Sequence, residues 1–430
     1  MELNKISING FKNIIDTKIH FSKITGLLSV NSYGKSNLFA GMGFGFSFIQ
    51  AKPNEKKNMM SYKGGMPLNE CNKYTNFEFE IELSLLVSGV ANDVIYGYSF
   101  QWNISEDRKP KILTEYLKIK NSLDSQKFTQ YISRNENKKL YRTAVSGRCD
   151  VEIQIDDNEL IINKVLAFDS LYYLNIIKEL NNLRLYVDRH LDSSNSFYSP
   201  SIIMRGMDVL SIDNVHEIAR TLFHLKNRYP KKYSIIIDAF KTMFPFIIDV
   251  QVKEHKLNND GTNPNFDDDA PFEFDDRIYT LYAKHKHMIT AVSFGNLSDG
   301  TKRILLILTY IILAEINNLV LICIEEPENS INPGLLKNFL SVLDTFVEDS
   351  KVIITSHSPF LVSFLNPSDL YIGLPNEDGK ACFRKIKKGS IGRIENEAKT
   401  LDMLTGEYIF DLMNGSSSDI ADLQGYLENE

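Results

Sequence analysis

The sequence is poor in cysteine, and the cysteines that it has are scattered. Its 430 residues include four of them, Cys71, Cys149, Cys323 and Cys382. No two of these form a C-x-x-C pair, and no histidine stands near them at zinc-site spacing. A disulfide framework and a structural zinc site are therefore not expected, and the chain suits a reducing cytoplasm.

Long hydrophobic runs and an excess of positive charge are also missing. Residues 1–13 carry charge and lack the apolar stretch of a signal peptide. The most apolar segment, residues 304–314, is shorter than the roughly 20 residues that cross a bilayer, so we expect a buried helix there and no membrane association. Because the formal net charge is −7, nucleic-acid binding would need a local basic patch, which the composition gives no reason to expect.

No internal repeat, low-complexity tract or long heptad run is present, but the periodicity changes along the chain. Residues 1–50 and 277–385 have mixed strand and helix patterns, which predicts one α/β core split between two segments. Strict alternation over 76–156 predicts an antiparallel β lobe. Residues 157–276 have mainly helical spacing and predict an inserted helical subdomain, followed by a tail of mixed helix at 386–430.

The inserted region has several local signals of its own. Asn214 is a plausible N-cap, and Pro230 separates two helical patterns. The polar, aspartate-rich segment 258–276 predicts an exposed loop. The predicted helices span residues 171–191, 214–228 and 232–243.

A phosphate-binding loop is indicated where the third strand meets the first long helix. Residues 29–36 follow the pattern G-x-x-x-x-G-K-S/T, except that Ser29 replaces the first glycine. Gly34 allows backbone N–H groups to surround a phosphate, Lys35 supplies a cation for the β and γ phosphates, and Ser36 supplies an oxygen for Mg²⁺. The alternative is a plain strand–turn–helix connection. The predicted nucleotide ligands in this loop are Asn31, Ser32, Tyr33, Gly34, Lys35, Ser36 and Asn37.

Two adjacent carboxylates follow a second apolar strand. Residues 319–324 form a continuous apolar run, typical of a central parallel strand, and lead directly to Glu325 and Glu326. The carboxyl edge of such a sheet is where α/β folds bind ligands. Glu325 suits a magnesium site, and Glu326 suits the base that activates an attacking water. The alternative is an acidic helix start, which Pro327 also fits.

A glycine turn and one histidine complete the set of candidates. Ser298 and Gly300 precede an apolar helix, where backbone amides form a second anion site. One nucleotide does not need two phosphate sites in one chain, so this site is predicted to serve the nucleotide of a second copy. The alternative is a simple N-cap by Ser298 or Asp299. His357 follows a buried strand and is predicted to contact a γ-phosphate or position the water, the alternative being a structural turn histidine.

In this order, the four elements resemble the Walker A, signature, Walker B and H-loop motifs of the ABC-type ATPase heads of the RecF, SMC and OLD group. Residues 6–13 and 240–245 are also similar to that group, in particular to stand-alone prokaryotic AAA family ATPases. The resemblance implies an α/β ABC-ATPase head, a P-loop core with an antiparallel β lobe, that uses ATP and Mg²⁺ and forms a homodimer or higher homo-oligomer across ATP. The implied roles are phosphate and magnesium binding for Lys35 and Ser36, the Walker B acid for Glu325, the catalytic base for Glu326, the switch histidine for His357, and contact with the partner's γ-phosphate for Ser298.

The sequence also departs from the pattern of the group that it resembles. Ser29 and Ser32 replace glycines, and Glu325 replaces the usual aspartate. Asn332 stands where a histidine often precedes the proline, and no glutamine can be assigned to the Q-loop. These departures predict low ATP affinity or slow turnover.

The resemblance also suggests a biological setting. The stretch after His357 is too short for the Toprim nuclease domain of OLD-type proteins, so we expect a cytoplasmic ATPase head without its own effector. The branch that it resembles acts in bacterial anti-phage defence beside a separately encoded nuclease or toxin, as in the PARIS, Septu and abortive-infection systems. The leading interpretation is an ATPase that senses a phage product and controls such a partner. A RecF-like repair ATPase that binds DNA and a scaffold with little hydrolysis remain alternatives.

Overall fold

The computed structural model describes residues 1–61, 69–104, 109–121, 127–188, 197, 199, 201–212, 217–257, 266–267, 269–374 and 378–428. These residues form two compact units, each built from separate stretches of chain. The first unit comprises Met1–Val187, Val320–Glu325 and Asp349–Glu430. The second comprises Asp188–Leu319 and Glu326–Glu348.

Runs of strands and runs of helices follow one another along the chain, and single strands alternate with single helices between residues 299 and 373. The strands are β1 (Glu2–Asn9), β2 (Thr17–His20), β3 (Ile24–Ser29), β4 (Phe77–Val87), β5 (Val90–Gln101), β6 (Lys111–Asn121), β7 (Thr129–Arg134), β8 (Lys139–Tyr141), β9 (Val151–Glu152), β10 (Leu185–Asp188), β11 (Ile202–Met204), β12 (Ile247–Lys256), β13 (Phe272–Phe274), β14 (Arg277–His285), β15 (Val292–Ser293), β16 (Leu321–Glu325), β17 (Lys351–Thr355), β18 (Leu370–Gly373) and β19 (Phe383–Lys385). The α-helices are α1 (Lys35–Gln50), α2 (Pro53–Met59), α3 (Ile161–Val165), α4 (Leu174–Asn181), α5 (Ile218–Arg228), α6 (Pro230–Met243), α7 (Asp299–Ile316), α8 (Pro333–Phe346), α9 (Pro359–Phe364), α10 (Ile391–Thr400), α11 (Thr405–Asn414) and α12 (Ser417–Tyr426).

An eight-stranded antiparallel sheet forms one layer of the first unit, in the order β2-β1-β4-β5-β6-β7-β8-β9. Alternation along β4 buries Phe77 and Phe79 and directs Glu78 and Glu80 to the other face. Helix α1 covers the buried face, where the ring of Phe48 stacks on that of Phe100 with centroids 4.9 Å apart. Gly45 permits this close approach, since a Cβ at that position would lie 2.3 Å from the Phe79 ring.

A second, mainly parallel sheet carries the β3–α1 connection. Its order is β10-β16-β17-β3-β18-β19, and β16, β17, β3 and β18 run parallel. Strands β16 and β17 are buried along almost their whole length, as apolar strands in the middle of an α/β sheet should be. Because these strands are parallel, the residues that follow β3, β16 and β17 leave the sheet at the same edge.

The second unit is built around helix α7. Residues 304–314 are buried throughout, which confirms the buried helix predicted for this apolar segment. Helices α5, α6 and α8 belong to the same unit, together with the sheet β12-β14-β15 and the pair β11-β13. Among the residues that the structure describes, no helix is both long and apolar enough to cross a membrane.

The inserted region contains more strand than its helical spacing predicts. The helix predicted at 171–191 is wrong in its second half: α4 ends at Asn181, and residues 185–188 form strand β10. This segment carries tyrosine and valine, which favour strands, and it pairs at the edge of the parallel sheet. Helix α6 confirms the helix predicted at 232–243. The loop predicted at 258–276 is wrong at Phe272–Phe274, which form β13, whereas Asn214, residues 258–265 and residue 268 lie outside the described residues.

Candidate nucleotide site

The β3–α1 loop has the backbone geometry of a phosphate-binding loop. Ser32 and Gly34 have left-handed φ angles of +61° and +129°. Helix α1 begins immediately after Gly34, an N-cap residue that has no side chain with which to cap the first turn. Amide groups in such a turn, at the positive end of a helix, attract anions. Asn31, Ser32 and Ser36 are exposed here, so a ligand can reach this loop from solvent.

The Lys35 ammonium lies within this loop. Its Nζ donates hydrogen bonds to the Ser29 carbonyl oxygen at 3.0 Å and to Ser29 Oγ at 3.3 Å, and the side chain is buried. A buried ammonium gains more from an anionic phosphate oxygen than from an uncharged carbonyl or hydroxyl oxygen, because the phosphate adds Coulomb attraction to the hydrogen bond. Ser29 stands where the pattern has glycine, and its carbonyl and hydroxyl oxygens both contact Lys35.

Two asparagine side chains, Asn13 in the β1–β2 turn and Asn37 in α1, form hydrogen bonds around the phosphate loop. Asn13 Nδ2 donates to the Tyr33 carbonyl oxygen at 3.0 Å, and Asn37 Nδ2 donates to Asn13 Oδ1 at 2.9 Å. Lys12 Nζ donates to Asn37 Oδ1 at 3.3 Å. The side chain of Asn37 is thus engaged with Asn13 and Lys12. This role of Asn13 was not predicted. The one signal for it in the sequence is its position in a turn after β1.

Tyr33 anchors the loop to the edge of the parallel sheet. Its buried ring packs edge-on against Phe383, with centroids 5.9 Å apart, and its hydroxyl accepts a hydrogen bond from the Cys382 N–H. Burial raises the pKa of the Tyr33 phenol, so it stays neutral. The phenol is therefore structural, which leaves the backbone N–H of Tyr33 as its contribution to an anion site.

Glu325 and His357 leave the same sheet edge as the phosphate loop. Glu325 is the last residue of β16 and is 8% exposed. It pairs with Thr355 of β17, which in turn pairs with Leu27 of β3. Two strand spacings, about 10 Å, therefore separate the Glu325 and Leu27 backbones. His357 follows β17 and is half-buried in the turn that leads to α9.

The donor set at this edge suits magnesium. Ser36 has an exposed hydroxyl at the start of α1, and Glu325 supplies a carboxylate at the end of β16. Mg²⁺ prefers hard oxygen ligands and is commonly held by one or two protein groups together with substrate phosphates and water. The two residues therefore fit this ion by their chemistry.

Glu326, Ser298 and Gly300 lie in the second unit. Ser298 Oγ accepts a hydrogen bond from the Thr301 N–H at 3.3 Å, which confirms Ser298 as the N-cap of α7. The side chain of Ser298 is exposed. Glu326 has a left-handed φ of +45°, and its Oε2 accepts a hydrogen bond from Asn329 Nδ2 at 2.9 Å. Strained backbone of this kind clusters at functional sites.

Known structures resemble this chain over nearly its whole length. An SMC head bound to the C-winged-helix domain of ScpA is 11% identical, with 91% of this chain and 100% of that chain covered and a TM-score of 0.51. The SMC head domain from Thermotoga maritima is 12% identical, with 90% and 100% covered and a TM-score of 0.44. An SMC head with an extended coiled coil, bound to the C-terminal domain of ScpA derived from Pyrococcus furiosus, is 10% identical, with 93% and 99% covered and a TM-score of 0.46. The first likeness shows the fold.

Sequence comparison identifies the family. No curated protein matches the chain. Residues 30–363 match the AAA_21 family, described as "AAA domain, putative AbiEii toxin, Type IV TA system". The matched region includes nearly all of the phosphate loop, both carboxylates, the glycine turn and His357. The chain therefore belongs to the AAA_21 family and is a P-loop ATPase-type protein with the fold of an SMC head.

Proposed function

We propose that the chain binds ATP with Mg²⁺ at the β3–α1 loop and hydrolyses the bond to the γ-phosphate. The observation that carries this proposal is the Lys35 ammonium, held 3.0 Å from the Ser29 carbonyl inside an amide-lined loop. On binding, Lys35 exchanges neutral oxygens for the β and γ phosphate oxygens. Glu325 supports the proposal, because its strand ends at the same sheet edge.

The chemistry assigns one task to each side chain. Ser36 and Glu325 would hold Mg²⁺, which when bound neutralises charge on the phosphate oxygens. Glu326, which follows Glu325 directly in the chain, accepts a proton from water. The water oxygen bonds to the γ-phosphorus as the bond to the β–γ bridging oxygen breaks, which yields ADP and inorganic phosphate. His357 positions the γ-phosphate or the attacking water.

A second copy of the chain completes the site in this proposal. Ser298 caps α7 and is exposed, so its hydroxyl is accessible to an anion at the start of this helix, whereas Gly300 is buried. We assign this helix start to the γ-phosphate of a sister chain, so that two chains dimerise across two nucleotides. Binding between the chains then depends on ATP, and hydrolysis releases them.

The setting that we propose is defence against phage. The family description names a toxin and a toxin–antitoxin system, which supports a role beside an effector protein. We propose that the ATPase cycle responds to a phage product and controls a separately encoded nuclease or toxin. Cells that carry the chain and its neighbouring gene should resist phage, and the Glu326→Gln change should abolish that protection. Equal protection by both forms would contradict this role.

An ATP hydrolysis assay on purified protein tests the proposed reaction. Lys35→Ala should weaken ATP binding, because it removes the cation for the phosphates. Glu326→Gln should bind ATP and lose turnover by about 10²-fold or more, because it removes the base. Phosphate release and equilibrium binding of a fluorescent ATP analogue separate the two effects. If the wild type hydrolyses ATP no faster than both variants, the ATPase proposal fails and the function is that of a nucleotide-dependent scaffold.

A further inference from the structure

Helix α7 is attached at two places to the loop that carries Glu326. A Cβ at Gly300 would lie 2.1 Å from the Ser330 carbonyl oxygen, so the helix backbone and the loop backbone are in direct contact. Three residues further along α7, an Arg303 NH2 group donates a hydrogen bond to the Glu326 carbonyl oxygen at 3.2 Å. The loop is therefore held at Glu326 and at Ser330, and both of these residues have left-handed φ angles, +45° and +66°.

The Arg303 side chain is itself fixed. It is 6% exposed, and its guanidinium lies 3.8 Å from the Asp188 carboxylate, which is 3% exposed. An arginine buried beside a carboxylate has little rotational freedom, so its hydrogen bond to the Glu326 carbonyl holds that peptide in place. A left-handed non-glycine residue costs about 1–3 kcal/mol and persists only where the surroundings hold it. Asn329 holds the Glu326 carboxylate, whereas Arg303 holds the Glu326 backbone.

We propose that Arg303 is a positioning residue that couples the start of α7 to the base Glu326. Arg303 lies five residues beyond Ser298, about 7.5 Å along the helix axis. A movement of α7 on contact with the triphosphate of a sister chain therefore reaches the Glu326 peptide through one rigid side chain. The Glu326 carboxylate then adopts its catalytic orientation only when a sister chain is bound. This inference rests on the proposed function, because it needs Glu326 to be the base.

A double-mutant cycle on the full-length protein tests the coupling. Arg303→Lys keeps the charge beside Asp188 but loses the planar donor aimed at the Glu326 carbonyl. We expect it to lower kcat about tenfold or more, while the affinity for ATP stays within about twofold. In the Glu326→Gln background the same change should have no further effect, because Arg303 acts through Glu326. Arg303→Gln, which keeps one N–H donor, is the second variant if the lysine form does not fold.

Arg220→Lys is the matched control for loss of a buried guanidinium. Arg220 belongs to the same unit, its side chain is 2% exposed, and its NH1 group lies 2.6 Å from Asp275. This variant should lower the melting temperature and leave kcat unchanged. If Arg303→Lys also leaves kcat unchanged, or lowers it equally in both backgrounds, Arg303 has no positioning role although the ATPase stands. If the wild type is no faster than Glu326→Gln, the proposed function fails and the inference falls with it.

Discussion

At the scale of single residues, the predicted phosphate loop differs from the usual pattern at a position that contacts Lys35. Ser29 replaces a glycine, and its carbonyl and hydroxyl both accept hydrogen bonds from Lys35. The departures from the pattern predict low ATP affinity or slow turnover. The contacts of Ser29 with Lys35 offer a physical reason for the first of these, since ATP would compete with Ser29 for the ammonium. Such contacts join residues whose side-chain directions depend on the folded loop, so the sequence alone does not reveal them.

Ser29→Ala tests this competition. It removes the hydroxyl that lies 3.3 Å from Lys35 Nζ and keeps the backbone carbonyl. A hydrogen bond to a charged group contributes about 1.5–3 kcal/mol net, and at 3.3 Å this one lies at the low end, so ATP affinity should rise about tenfold. Calorimetric titration with ATP measures this. An affinity equal to or lower than that of the wild type would show that the hydroxyl does not restrain Lys35.

At the scale of secondary-structure elements, local sequence patterns predict most of the helices and strands around the site. The helix expected after the phosphate loop corresponds to α1, and the apolar runs before Glu325 and His357 correspond to β16 and β17. Strand β10 was missed because its place at the sheet edge depends on pairing with β16, a tertiary contact. The contacts of Asn13 with Tyr33 and of Arg303 with Glu326 were missed for the same reason.

Helix α1 offers a matched pair of glycine substitutions that tests its packing on the β lobe. A Cβ at Gly45 would lie 2.3 Å from the Phe79 ring, whereas a Cβ at Gly43 has its nearest neighbour at 3.9 Å. Gly45→Ala should destabilise the fold by about 1–3 kcal/mol through overpacking. Gly43→Ala should be neutral or stabilise by up to about 1 kcal/mol through helix propensity. Urea unfolding followed by circular dichroism measures both, and equal effects would contradict the close packing at Gly45.

At the scale of the whole molecule, two compact units contain different parts of the predicted machinery. Lys35, Glu325 and His357 belong to the first unit, and Ser298 and Glu326 belong to the second. The order of motifs in the sequence predicted the ATPase family and the SMC-head fold, because these motifs are short and can be recognised from local sequence. The roles in trans, the effector and the trigger stay predictions, because they depend on surfaces of other molecules.

Complementation between two inactive variants tests most directly the claim that each ATP site is shared by two chains. Lys35→Ala removes the phosphate cation, and Ser298→Arg places bulk at an exposed helix start without touching Lys35. In a mixed dimer, one site carries both changes and the other carries neither. Mixing equal amounts should therefore restore up to about one quarter of the wild-type ATPase rate, since half of the dimers are mixed and each has one intact site of two. A mixture as inactive as either variant alone would contradict the shared site.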